Sequence, residues 1–455
     1  MKRKFTFTSL ISLLLVGLFV LSSCGTAGKK PGTTGENGQA GSDASGKPEE
    51  VLLWNMQFED WYGDHFNQMM EQFNSENKDV HVTQQFINGS VWDQKMKAAQ
   101  AAKTAPDTYV LAYNQVPFSA AQGLIRNMDD LIPQSAWDDI YDNVKPMITY
   151  QGKYYAYPIF TELQTLLYYR KDMFEQAGLD PDTPPRSWDD LIADAKKLTK
   201  DDVFGVNFPG FSGDFNWAAW GWEYQAANHL ALTDDWKSAN ITDEGFVDLA
   251  DFVRTLYDEK VVPAQQLANY NDPKPFLDGR LAMMFNGSWV IAALKKDNPE
   301  LADKVGVAPA PTKDGNQQVT TSAAGGFTYV LDAKSTKAEE AAKYIHWLLA
   351  DDPSVPAQYF KTAAYSKYAV RKSVDEYITE HDKDAYNDKW RNDITEQVLP
   401  YAKPEAVYAT EINQYVSNAF QSIVLDHTPA EEALSKAAEQ INDYITTNDY
   451  SSKKP

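Results

Sequence analysis

The sequence predicts an α/β protein built as two lobes. Between Val51 and Ala112 short apolar runs alternate with helical patterns, as in parallel strands joined by helices. About 400 residues follow Glu49, more than one hydrophobic core usually supports. The stretch before Glu49 contributes nothing to such a core, because residues 25–48 are mainly Gly, Ser, Thr, Ala and Lys and carry no large apolar side chain.

The elements follow in order. Val51–Trp54 is an apolar run suited to a buried strand. Asp64–Asn77 places Phe66, Met69, Met70 and Phe73 on one helical face. Val80–Phe86 alternates as a strand does, Trp92–Lys103 reads as a helix, and Ala105-Pro106-Asp107 introduces a strand over Thr108–Ala112. This lobe is expected to hold a mainly parallel sheet. Parallel sheets bind ligands at the carboxyl ends of their strands, so Trp54–Trp61 and Tyr113–Gln115 fall at an expected site. Strands are expected at Gly152–Pro158, Leu163–Tyr169, Leu281–Phe285 and Val305–Val307. Ser187 and Asp190 have the spacing of a capping box. Thr242, Thr336-x-x-Glu339 and Thr428-Pro429 mark further helix starts, the last with Pro at the first helical position.

The amino-terminal segment reads as an address. Lys2, Arg3 and Lys4 precede an apolar run from Ile11 to Leu21, then Leu21-Ser22-Ser23-Cys24. This is a secretory signal, too short for a stable membrane span. Its end resembles a bacterial lipobox, which implies cleavage before Cys24 and a diacylglyceryl group on it. Cys24 is the only cysteine, so no internal disulfide framework exists. Residues 24–48 form a flexible leash with a span of roughly 25–30 Å. The net charge of −22 repels nucleic acid and anionic lipid. The 12 Trp and 25 Tyr are many for a polar chain, and their placement decides the function.

Several segments then line up with one family: Pro106-Asp107, Tyr155-Ala156-Tyr157-Pro158, Leu167-Tyr168-Tyr169-Arg170-Lys171-Asp172 and Ala177-Gly178-Leu179. After these come Ser187-Trp188-Asp189-Asp190, Gly279-Arg280-Leu281-Ala282-Met283-Met284, Gly287-Ser288-Trp289, Val305-Gly306-Val307, Gly325-Gly326-Phe327 and Glu432-Ala433-Leu434. In order and spacing the chain resembles bacterial extracellular solute-binding proteins of the carbohydrate-binding group, the class that contains maltose-binding protein. The resemblance implies a two-lobed periplasmic-binding-protein-like (type II) α/β fold with an interlobe cleft and a multi-segment hinge. Residues 49–160 and 308–350 would form the first lobe, and residues 161–307 and 351–455 the second. The implied partners are a sugar ligand, the transmembrane subunits of an ABC permease with its cytoplasmic ATPase, and the membrane through the Cys24 lipid. No cofactor or metal is implied. The expected form is a monomer on the extracytoplasmic face of a Gram-positive cell.

Sugars offer C–H faces to aromatic rings and hydroxyls to carboxylates and amides. Trp289 matches a family Trp that stacks on sugar, and Trp217 falls at the place of another stacking aromatic. Trp217 and Trp220, three apart, could share one helical face, which is also the pattern of a core stripe. Glu162 stands where the family bonds ligand after its Tyr-Pro. Trp54 lies at the end of the first strand, with Phe58, Glu59 and Trp61 as weaker candidates. Gly326 and Phe327 belong to a segment that approaches the cleft in relatives, and Arg371 to one near its mouth. Where maltose-binding relatives carry Trp, Asp and Arg, this chain has Leu111, Asn114 and Gln115, with Tyr113 as a nearby aromatic face. Maltose itself is therefore not the expected ligand.

Other readings differ in chemistry. A glycosidase needs two carboxylates at a set separation, but among 64 acids some pair always fits. The six histidines have no metal-ligand spacing, and no nucleophile elbow or phosphate loop occurs. A glycerol phosphate receptor would want a basic cluster at the loops. A polyamine receptor would want acids beside aromatics, which Glu59, Asp60, Glu162, Asp214 and Glu223 keep open. An adhesin or scaffold would bind no small solute.

Overall fold

The structure is a computed structural model that describes residues 47–454 except Glu59 and Ser212. The signal segment 1–23, Cys24 and the leash up to Gly46 lie outside the described residues. Strand β1 (Glu49–Gln57) buries Val51, Leu53 and Asn55 on one face. It pairs in parallel with β2 (Val80–Asn88) and β3 (Thr108–Ala112). The helix Asp60–Glu76 lays Tyr62, Phe66, Met69 and Phe73 against this sheet, the periodicity its sequence announces.

After a hairpin of β4 (Thr149–Tyr150) and β5 (Lys153–Tyr154), strands β6 (Ala156–Leu163) and β7 (Leu166–Arg170) follow with two residues between them. Next come β8 (Met283–Asn286), β9 (Val305–Ala308), β10 (Ala323–Leu331) and β11 (Lys403–Pro404). The first sheet runs β2-β1-β3-β10, with β6 on the far edge of β10 and β11 beside its start. The second runs β8-β7-β9. The expected parallel arrangement holds for β1, β2 and β3, and the short β11 pairs in parallel with β10. β10 is antiparallel to β3 and β6, and the second sheet is antiparallel throughout. Antiparallel partners need no crossover helix between them, so these strands can arrive from elsewhere in the chain.

Alternation along β7 sorts two cores. Leu167 and Tyr169 face one cluster with Trp222, Phe246, Met283 and Phe420. Leu166 and Tyr168 face another with Phe276, Met284, Ile291 and Ile394. The second sheet is thus covered on both sides, as its near-continuous apolar run requires.

β6 stays in the first sheet to Leu163, and β7 of the second sheet begins at Leu166, after Gln164-Thr165. Thr312 still bonds Arg186 in the second lobe, so the return lies beyond Ala308. Ala357, Tyr359, Phe360, Tyr365, Val370, Val374, Ile378 and Ala385 belong to the first core, while Tyr368 between them packs with Leu163, Leu166 and Tyr168. Tyr359 meets Phe66 and Phe160, and this packing holds the segment where it is. Ser187 and Asp190 form the expected capping box. Asp243, rather than Thr242, caps the helix Glu244–Asp258. Thr336 does not cap the helix Ala338–Ile345, and Pro429 precedes rather than opens the helix Ala430–Thr447.

Arg371 is buried in the first lobe instead of lying at a cleft mouth. Its Nε donates to Asp139 at 2.7 Å, and its terminal nitrogens donate to the carbonyls of Leu349 and Asp351. Burial raises the Asp139 carboxyl, but bonds from Ser373 and Arg371 outweigh it and hold the group below its ordinary pKa. Arg371→Met leaves the Asp139 carboxylate to Ser373 alone and strands two carbonyls. It should cost about 3 kcal/mol in urea denaturation and leave ligand affinity of the folded protein unchanged.

Candidate functional site

Three crossing segments meet at the start of β10. Gly325 and Gly326 allow the approach. A Cβ on Gly325 would lie 2.5 Å from Glu405 Oε2, and one on Gly326 would overlap the Phe160 carbonyl and sit 2.9 Å from the Tyr113 ring. Gly326 also holds φ +145°, which L side chains avoid. Across the ladder, Gly325 faces Glu162 and Phe327 faces Phe160.

Around this point lies a polar knot. Glu405, nine-tenths buried, accepts from the Asn114 N–H at 3.2 Å and from Gln164 Nε2 at 2.9 Å. Burial pushes its pKa up to about 8, the nearby Glu162 adds to the rise, and the two donors oppose it. One carboxylate therefore ties the end of β3 to the first crossing. Glu162 forms an ion pair with Lys367, whose side chain is 5% exposed against 14% for the glutamate. The Lys367 ammonium lies 5.2 Å from the Phe160 ring centre and 5.8 Å from that of Trp289. Lys367 is held beside β6 because Tyr368 and Thr161 exchange backbone bonds at 2.8 and 3.0 Å.

The second lobe supplies indoles. Trp289, half-buried, leans over Gly287, where a Cβ would overlap its ring. Its indole nitrogen is buried without a hydrogen-bond partner. Trp217, also half-buried, lies 6.1 Å from Trp289 and meets Tyr270 edge-on at 5.4 Å. On the first lobe Phe327 packs 4.4 Å from Phe58 and 5.8 Å from Phe160. Glu162, Trp217, Trp289, Gly326 and Phe327 are thus brought to one region, with Asn114 tied to it through Glu405.

The other expected residues stand elsewhere or serve packing. Tyr113 is fully buried, and its hydroxyl donates to the Phe160 carbonyl at 3.1 Å. Trp220 is 3% exposed, packs on Ala323 and Ala406, and donates to Asn413 at 3.2 Å. Neither offers a ring face to a solute. Trp54 is half-buried against the first core, with its indole nitrogen buried and unpartnered. Gln115 is half-buried at the cap of the helix Val116–Ala121. Sequence reasoning missed Lys367, Glu405, Gln164 and Tyr270. Glu405 sits in Pro404-Glu405 with no periodic context, and Lys367 is recruited by a strand far away in the chain.

Two cavities adjoin the region. One of about 260 Å³ is lined by Thr161, Lys367, Tyr368, Arg391, Asp375 and Tyr141. Another of about 600 Å³ lies along β9, with Trp390, Tyr169, Lys295 and Asp388 in its walls. Neither is lined by Trp217, Trp289 or Phe327. Among the described residues no cluster of three His, Cys, Asp or Glu side chains could hold a metal ion, and no helix is long and apolar enough to cross a membrane.

Residues 62–354 match the family of bacterial extracellular solute-binding proteins, and the chain belongs to that family. It is similar to a binding protein of Brucella abortus, 23% identical over 389 residues, covering 83% of this chain and 88% of that one. The maltotriose-binding protein of Pyrococcus abyssi is 26% identical over 314 residues, 66% of this chain and 62% of that one. A solute-binding protein of Thermotoga lettingae, solved with α-D-tagatose, shares the fold with a TM-score of 0.72 at 24% identity, over 87% of this chain and 99% of that one. The two-lobed type II fold is therefore that of this chain.

The Glu405 carboxyl sets a pH dependence. Its folded pKa of about 8 exceeds the ordinary 4.5, so its proton stabilises the fold below the ordinary value. That contribution fades as pH rises toward 8. Glu405→Gln should lower the urea midpoint less than the parent's falls between about pH 5 and pH 9, measured by intrinsic fluorescence.

Proposed function

We propose that this protein captures a neutral carbohydrate between its lobes, outside the cytoplasm, and delivers it to an ABC importer. The observation that carries the reading is the convergence of Trp217 and Trp289 from the second lobe on Glu162 of the first. Indole faces suit the C–H patches of a sugar ring, and carboxylate and amide groups suit its hydroxyls. The names of relatives include a maltotriose-binding protein and a solute-binding protein solved with α-D-tagatose, beside one for sn-glycerol-3-phosphate. Two indoles in one cluster favour an oligosaccharide over a single ring.

In this reading the lobes close on the ligand by bending at the crossings near Gln164-Thr165 and the start of β10. The permease then reads the closed form. A lipid on Cys24 keeps the receptor at the membrane, with residues 25–48 as its leash. Two or more acyl chains anchor firmly, at about 0.8 kcal/mol per buried methylene. The protein acts as a monomer, with no cofactor and no catalytic step.

The test is a thermal-shift screen with maltotriose, mannobiose, tagatose and related sugars, against spermidine and glycerol phosphate. A ligand that binds only the folded form stabilises it by RT ln(1 + [L]/Kd) and so raises the melting temperature. A neutral sugar should give the shift. For that sugar, Trp289→Ala and Trp217→Ala should each weaken binding by about 1–3 kcal/mol in calorimetry. Full affinity in both folded variants would refute the site.

A further inference from the structure

A carboxylate flanked by aromatic faces is the environment that recognises a primary ammonium. Glu162, Phe160 and Trp289 make such a box, and it sits where the proposed solute site lies. The chain's own ammonium, from Lys367, already occupies it. We infer that Lys367 is a specificity residue: it fills this box, bars cationic solutes such as polyamines, and leaves the site to neutral polyols. The inference rests on the carbohydrate reading for the location of the site.

The surroundings explain why such a device is needed. With a net charge of −22 the protein attracts cations from solution. Glu162 lies at the site itself. An acid and two rings without a resident cation would hold a diamine or triamine well. Lys367 removes that option in two ways. It neutralises Glu162, and it opposes any second positive charge in a space where its side chain is 5% exposed and water screens little. The pairing of Thr161 with Tyr368 fixes the Lys367 backbone against β6, so the ammonium cannot easily swing out. A neutral polyol meets no such repulsion and can use the ion pair as adjacent donor and acceptor.

The experiment empties the box. Lys367→Ala removes the ammonium and most of its stem, and leaves Glu162 unpaired. The variant should lose stability and regain it with n-propylammonium, which replaces the missing atoms, but not with 1-propanol. Spermidine should stabilise Lys367→Ala at concentrations at least tenfold below those needed for the parent. The Glu162→Gln/Lys367→Ala double variant should lose this amine response. A neutral sugar that shifts the parent should compete with spermidine in Lys367→Ala. Several results would overturn the inference: equal spermidine response in parent and variant, an unchanged response in the double variant, or no competition with the sugar. Failure of Lys367→Ala to fold even with n-propylammonium would do so too. If no neutral sugar shifts the parent, the carbohydrate reading fails on its own, whatever the amine results.

Discussion

The close approach of three chain segments at Gly325-Gly326 governs the rest of the molecule. β10 runs between β3 and β6 and touches β11 at its start. Only residues without a Cβ permit it, because Glu405, the Phe160 carbonyl and the Tyr113 ring stand where side chains would go. The glycines bring backbone, carboxyl and amide groups within bonding distance of one another. Glu405 can then tie Asn114 to Gln164, and Glu162 is set opposite a residue that leaves it room.

This arrangement also places charge at an expensive location. Glu405 is buried with two donors, and Glu162 is largely buried with Lys367. Burial raises the Glu405 pKa to about 8, and the Glu162–Lys367 pair offsets its own desolvation only when the geometry is held firmly. The strand pairings on both sides of β6 hold it. Polar groups of this kind at a junction between lobes suit a protein whose solute carries many hydroxyls. They also make the junction sensitive to substitutions that would be mild on the surface.

Much of the fold was legible in the chain. The periodicity of Phe66, Met69 and Phe73, the alternation in β1 and β2, and the Ser187 capping box all rest on neighbours within a few residues. The expected site was legible only in part. Glu162, Trp289, Trp217, Gly326 and Phe327 come together, and each follows a strand end or a glycine turn that motif spacing can mark. Arg371, Tyr113 and Trp220 carried the same residue-type signal but went to packing, because burial depends on what covers a side chain. Arg371 found Asp139, 232 residues away, and Trp220 found Asn413, 193 away.

The sequence by itself determined the strands and helices, the acidic and cysteine-poor character, and the family. Each of these depends on local spacing, on composition or on the order of motifs along the chain. Only the tertiary structure decided which aromatics face the region between the lobes, where the chain crosses, and that Lys367 joins Glu162. These are pairings across about 70 to 200 residues, from Trp217 with Trp289 to Glu162 with Lys367. Their energy comes from burial and charge in a shared space, and no short stretch of sequence contains both partners.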